Sequence, residues 1–127
     1  MSINQSNTKF FAKLAFEQAK INLGSTGVNP SVGCVVVKND TIISSGHTSL
    51  KGRPHAEEKA LKKKINFKNA KIYVTLEPCF HHRKTIACSR LISKKEIKSV
   101  NFTLFDENKR TSNKTIKYYN QKKIKIK

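Results

Sequence analysis

The sequence predicts an α/β protein, a three-layer α/β/α sandwich on a mixed sheet of about five strands. Three observations carry this. Short β-branched runs alternate with helix-forming segments along the chain. The first two runs are separated only by Asn39-Asp40, the spacing of an antiparallel hairpin, whereas later strands return through helices. No internal repeat, Pro-rich linker or low-complexity break divides the 127 residues, so one domain is expected over 1–127.

The elements follow in order. A first helix is predicted from about Asn7 to Ile21, with Phe10, Leu14 and Ile21 near one face and Phe11, Ala15 and Phe16 beside them as core candidates. Gly24 suits its exit. After the turn-rich stretch Gly24 to Pro30, Gly33–Lys38 reads as a buried strand, and Thr41–Ser45 returns as its antiparallel partner. Pro54 precedes a run of helix formers that begins at His55 and is expected to last to about Lys64. Lys71–Leu76 is a third strand, about Ala87–Lys94 a helix and Ser99–Leu104 a fourth strand. Thr111–Asn120 is predicted as a helix, and Ile124–Ile126 as a fifth strand.

Composition narrows the class. Hydrophobic residues at 37% and charged ones at 27% exclude a wholly disordered or collagen-like chain. No apolar run reaches the roughly 18 residues of a membrane span, and the start MSINQSNTKF has no apolar signal core. A cytoplasmic protein with no membrane partner is expected. Twenty-six basic against 8 acidic residues give a formal charge of +18. That charge invites a polyanion reading. Only four of the basic residues are arginines, however, and Lys, Ile and Asn are together what A/T-rich codons encode. A solvated surface therefore explains the charge better than nucleic acid does. Three cysteines are too few for a disulfide framework, and clustered cysteines in a reducing compartment point to metal or catalysis.

The chemistry sits in three pieces: His55-Ala56-Glu57, then Pro78-Cys79, then Cys88. One imidazole and two thiolates make a tetrahedral zinc site with one position open, the arrangement of catalytic zinc. His55 lies at a predicted helix start and Cys88 in the first turn of another, where the helix N-terminus favours a thiolate. Glu57 lies two residues past His55, about 200° round a helix, so the pair cannot chelate from one side. His55 can ligate while Glu57 reaches over the open position and moves protons for a zinc-activated water.

These motifs resemble the H-x-E…P-C signature of the zinc nucleobase deaminases, with eight residues between the two cysteines instead of two. The longer loop is similar to that of the deaminase domain of the riboflavin-pathway pyrimidine deaminase/reductases. The likeness extends to Asn29–Val35, Gly52–Glu57, Tyr73–Cys79, and Asp106 and Asn108. What the resemblance implies is a cytidine-deaminase-like fold, a bound Zn2+, and hydrolytic deamination of 2,5-diamino-6-ribosylamino-4(3H)-pyrimidinone 5′-phosphate, with Glu57 shuttling the proton. It further implies that Asn29 faces the pyrimidine, that Lys84 and Thr85 lie near the substrate with Lys84 a phosphate partner, and that His81 serves substrate or loop. Arg53, beside the zinc histidine, is a second anion candidate. The family's Gly before Lys-Thr is Arg83 here, its Pro-Pro before the second cysteine is Ile86-Ala87, the proline before Asn29 is Val28, and Thr48 stands where many members have histidine. Family enzymes usually continue into a reductase domain, which is not expected within these residues. Members commonly self-associate, which leaves a homo-oligomer open.

Other residues read more plainly. Cys34 is expected as a buried small hydrophobe, Glu58 as a solvated helix acid, and Lys62–Lys64 as a solvated helix end. Glu77 either orients a zinc ligand or bonds the loop backbone. Two alternatives to the leading function are a deaminase of tRNA, other nucleic acid or a free nucleoside, and a non-catalytic zinc- or polyanion-binding remnant. Against the first stands the absence of Pro-Cys-x-x-Cys, and against the second the presence of Glu57, which a structural zinc site does not need.

Overall fold

A computed structural model describes residues 3–27, 30–79, 87–104, 117–118 and 125–126. Among them the chain forms α1 (Ile3–Lys20), β1 (Gly33–Lys38), β2 (Thr41–His47), α2 (Ala56–Leu61), β3 (Lys71–Leu76), α3 (Cys88–Lys94), β4 (Ser99–Leu104) and β5 (Lys125–Ile126), with one 3₁₀ turn at Leu50–Gly52. The strands lie in one sheet in the order β2-β1-β3-β4-β5. β1 is antiparallel to both β2 and β3, whereas β3, β4 and β5 run parallel. This is the expected mixed sheet. Asn39 and Asp40 both take positive φ, 53° and 60°, which is what a two-residue hairpin turn requires.

Helices cover both faces. On one, α1 packs Phe11 and Ala15 on Val35, Val37 and Tyr73. On the other, α2 and α3 close a larger core around Cys34, Val36, Ile72, Val74, Ile92 and Val100. Alternation along β1 explains the division: Val35 and Val37 face α1, while Cys34 and Val36 face α2.

Glycines let both helices sit close. A Cβ on Gly33 would collide with the backbone of α1 at Ala15 and Ala19, and one on Gly46 with the backbone of α2 at Ala56 and Ala60. This contact corrects the expected core of α1. Its buried stripe is Phe11, Ala15 and Ala19, because only small residues fit over Gly33, and Phe10, Phe16 and Ile21 are left exposed. The helix also starts a turn earlier than expected. α2 stops at Leu61 rather than Lys64: residues 62–66 are all exposed, so no buried face holds a further turn. β2 runs two residues longer than expected, to His47. The predicted helix over 111–120 lies outside the described residues except at 117–118, which are helical. No helix among the described residues is long and apolar enough to cross a membrane.

Candidate metal centre

β3 delivers its chain to one end of the sheet, where Glu77, Pro78 and Cys79 follow directly. α2 and α3 begin at the same end, so three segments distant in sequence meet. His55 is the N-cap of α2, with φ −70° and ψ 162°. Cys88 is the first residue of α3. The backbone N–H of Cys88 donates to Cys79 Sγ at 3.2 Å, and the N–H of Ser89 donates to the Cys79 carbonyl at 3.0 Å.

His55 Nδ1 lies 3.5 Å from Cys88 Sγ and 3.9 Å from Cys79 Sγ. The three donor atoms all fall within 4.8 Å of one another. Zinc at about 2.0–2.3 Å from its ligands in a tetrahedron separates them by roughly 3.4–3.8 Å. The trio fits such an ion in size and in donor type. Cys34 is not part of it; it is fully buried in the core, as expected of a small hydrophobe.

Charge is distributed unevenly among the donors. A hydrogen bond from the Cys88 thiol is the main cause holding Cys79 down to about 4, helped by His55 and by the Cys88 backbone N–H. Cys88 moves the other way: donating its proton to Cys79 raises it, and burial raises it further. His55 is raised, chiefly by its hydrogen bond with Cys79. The carboxyl of Glu57 is pushed up to about 7, first by burial and then by the charge on Cys79. It is 4% exposed and close enough to exchange charge effects with His55, Cys79 and Cys88. A carboxyl poised near neutrality beside a trio able to hold a metal ion can take and return a proton.

Glu58 departs from its reading as a solvated acid. Its Oε1 accepts from the His55 backbone N–H at 3.2 Å and lies 3.8 Å from Arg53 Nη1. It satisfies an orphan donor at the start of α2 and thereby steadies the backbone of His55, a candidate metal ligand. An acid three positions after the N-cap was the signal that could have found it. Arg53 is half-buried beside this carboxylate. Glu77 is buried two residues before Cys79. Asn29, His81, Lys84 and Thr85 lie outside the described residues, as do Asp106 and Asn108.

Comparison with known proteins agrees with this arrangement. A family model described as the cytidine and deoxycytidylate deaminase zinc-binding region matches residues 5–104. The diaminohydroxyphosphoribosylamino-pyrimidine deaminase of Buchnera aphidicola from Schizaphis graminum is 36% identical over 120 residues, covering 94% of this chain and 82% of that protein. The riboflavin biosynthesis protein RibD of Actinobacillus pleuropneumoniae is 45% identical over 91 residues, covering 71% of this chain but only 24% of its own length. A Thermotoga maritima diaminohydroxyphosphoribosylaminopyrimidine deaminase/5-amino-6-(5-phosphoribosylamino)uracil reductase superposes with a TM-score of 0.91 at 38% identity, over 97% of this chain and 36% of that one. The chain thus spans most of the shorter relative and about a quarter to a third of the longer ones.

Proposed function

Because the chain belongs to the cytidine and deoxycytidylate deaminase zinc-binding family, we propose that it hydrolytically deaminates 2,5-diamino-6-ribosylamino-4(3H)-pyrimidinone 5′-phosphate, using one zinc ion held by His55, Cys79 and Cys88. The reaction consumes water, replaces the ring 2-amino group by a carbonyl oxygen and releases ammonia. The observation that carries this reading is the convergence of the three donors with a buried carboxyl pushed up to about 7. The names of relatives at 36–45% identity supply the substrate class.

A zinc ion held by His55, Cys79 and Cys88 would supply Lewis acidity, lowering the pKa of water towards neutrality. The chain's own residues do the rest. The Glu57 carboxylate takes the proton of the attacking water, gives it to a ring nitrogen and then moves a proton to the departing amine. Its burial limits exchange with bulk solvent. Glu58 holds the His55 backbone at the start of α2, and the Cys88 N–H holds the Cys79 sulfur, so both ligands are steadied from behind. Asn29 is assigned to the pyrimidine, Lys84 to the phosphate, Thr85 to the substrate's surroundings, His81 to substrate or loop and Arg53 to an anionic group of the substrate. The first four assignments rest on the sequence resemblance, and that of Arg53 on its place beside His55.

The test is ammonia release from the diaminopyrimidinone ribotide, beside cytidine, dCMP and an adenosine-containing tRNA stem-loop. Turnover of the ribotide well above the others is expected, with one zinc per chain by metal analysis. Faster turnover of any competitor, or less than half an equivalent of zinc in unchelated protein, overturns the corresponding part.

A further inference from the structure

We propose that the groove between α2 and α3 is a docking site for an amphipathic helix of another protein, one whose apolar stripe is flanked by Asp and Glu. This goes beyond the proposed reaction and does not depend on it. The groove has a volume of about 690 Å³, and its apolar lining is Pro54, Leu61 and Leu91. Leu91 is half-buried and packs on the core that holds Ile92, so an apolar group seated beside it would continue that core. Lys59, Lys62 and Lys95 line the same groove. Among the described residues none of these three lysines pairs with a carboxylate. Glu58, the one acid in the lining, is already engaged: it accepts from the His55 N–H at 3.2 Å and stands 3.8 Å from Arg53 Nη1.

Helix ends favour lysine, which accounts for Lys62 at the end of α2 and Lys95 at the end of α3, one at a time. It does not account for an apolar groove between them. The lining sets the chemistry of the occupant. Leucine and proline side chains offer a peptide backbone no hydrogen bonds, so the occupant must satisfy its own, as a helix does. Its flanks meet three lysines, which calls for Asp or Glu. A second copy of this chain fits poorly. Face to face it would set the same three lysines against one another, and α1, the longest helix among the described residues, carries Lys9, Lys13 and Lys20 against a single acid, Glu17. Single-stranded nucleic acid fits poorly too, because the groove presents no aromatic face on which a base could stack.

The test uses two labelled synthetic helices of about 18 residues with the same leucine stripe, one flanked by Glu and the other by Lys. Binding to the full chain is followed by fluorescence anisotropy at about 0.15 M salt, where distant surface charges are largely screened. The Glu-flanked helix is expected to bind in the micromolar range, and the Lys-flanked one at least about tenfold more weakly. Leu91→Asp should weaken the Glu-flanked helix about tenfold or more. Lys62→Glu should weaken it about threefold and tighten the Lys-flanked one. Lys13→Glu, on α1 across the sheet, should change neither by more than about twofold. Absence of saturable binding, or equal binding of the two helices, overturns the proposal. A loss in Lys13→Glu as large as that in Lys62→Glu does so too, by reducing the effect to net charge. Self-association of the chain in sedimentation that Leu91→Asp abolishes gives the groove to a second copy and is equally fatal. Should Leu91→Asp not fold, the opposite responses of the two helices to Lys62→Glu, at an exposed position, decide alone.

Discussion

α1 and α2 meet opposite faces of the sheet through the same device, a glycine in a strand pressed under two alanines of a helix. On the α1 face the shared core is apolar: Phe11, Ala15, Val35, Val37 and Tyr73, with Phe11 and Tyr73 ring centroids 5.4 Å apart. On the α2 face the same closeness carries a carboxyl into the interior, since Glu57 lies one residue past Ala56 and is 4% exposed. Burying a carboxyl works against folding unless its charge is met or removed, and here its pKa rises to about 7 instead. The comparison teaches that close helix–sheet packing has two uses in this molecule. One face is an apolar core; the other gives up stability to hold a buried carboxyl, the proton carrier of the proposed reaction.

The sharpest way to break that contrast is Glu57→Gln. It should cost roughly 10²–10⁴-fold in kcat, the scale of a general acid–base group, while zinc content stays at one and the melting temperature is equal or higher. Activity within a few-fold of wild type would falsify the role of Glu57, and loss of zinc would place it in the metal shell. Next in size is Phe11→Ala on the opposite face, expected to destabilise by about 3–4 kcal/mol in urea unfolding with kcat per folded molecule unchanged. A matching loss of kcat would mean the faces are not separable.

The two glycines give the like-for-like test. Gly33→Ala and Gly46→Ala should each cost about 1–3 kcal/mol by overpacking. Only Gly46→Ala should also weaken zinc retention against a chelator, because it pushes on the start of α2 beside His55. Equal zinc retention in the two variants would dissolve the distinction. The smallest expected effect is Phe10→Ala. This ring is 56% exposed and touches Phe11 edge-on, so its removal should cost less than about 1 kcal/mol.

Much of this was legible in the sequence. The hairpin, the parallel return through α3 and the metal trio are written in local patterns: β-branched runs, a two-residue turn, and His-x-Glu with Pro-Cys ahead of a further Cys. What escaped depends on contacts between distant segments. Periodicity alone allows several faces of α1 to be called core, and Gly33 decides among them by admitting only the one with Ala15 and Ala19. Glu58 looks like any surface acid until the backbone N–H of His55 needs an acceptor. The low pKa of Cys79 was likewise hidden, since its sulfur is held by hydrogen bonds from residue 88, nine positions on in the sequence.

The spacing of the donors has a consequence for the order of events during folding. His55 and Cys79 stand 24 residues apart, and the whole of α2 and β3 lies between them. Closing a loop of that size costs entropy before any ion can repay it. β3 reaches its place only by pairing with β1, so the histidine and the first cysteine meet when the sheet is largely assembled. An ion taken up by these donors would lock a nearly finished fold rather than nucleate one, in contrast to the small zinc domains that stay unfolded without metal.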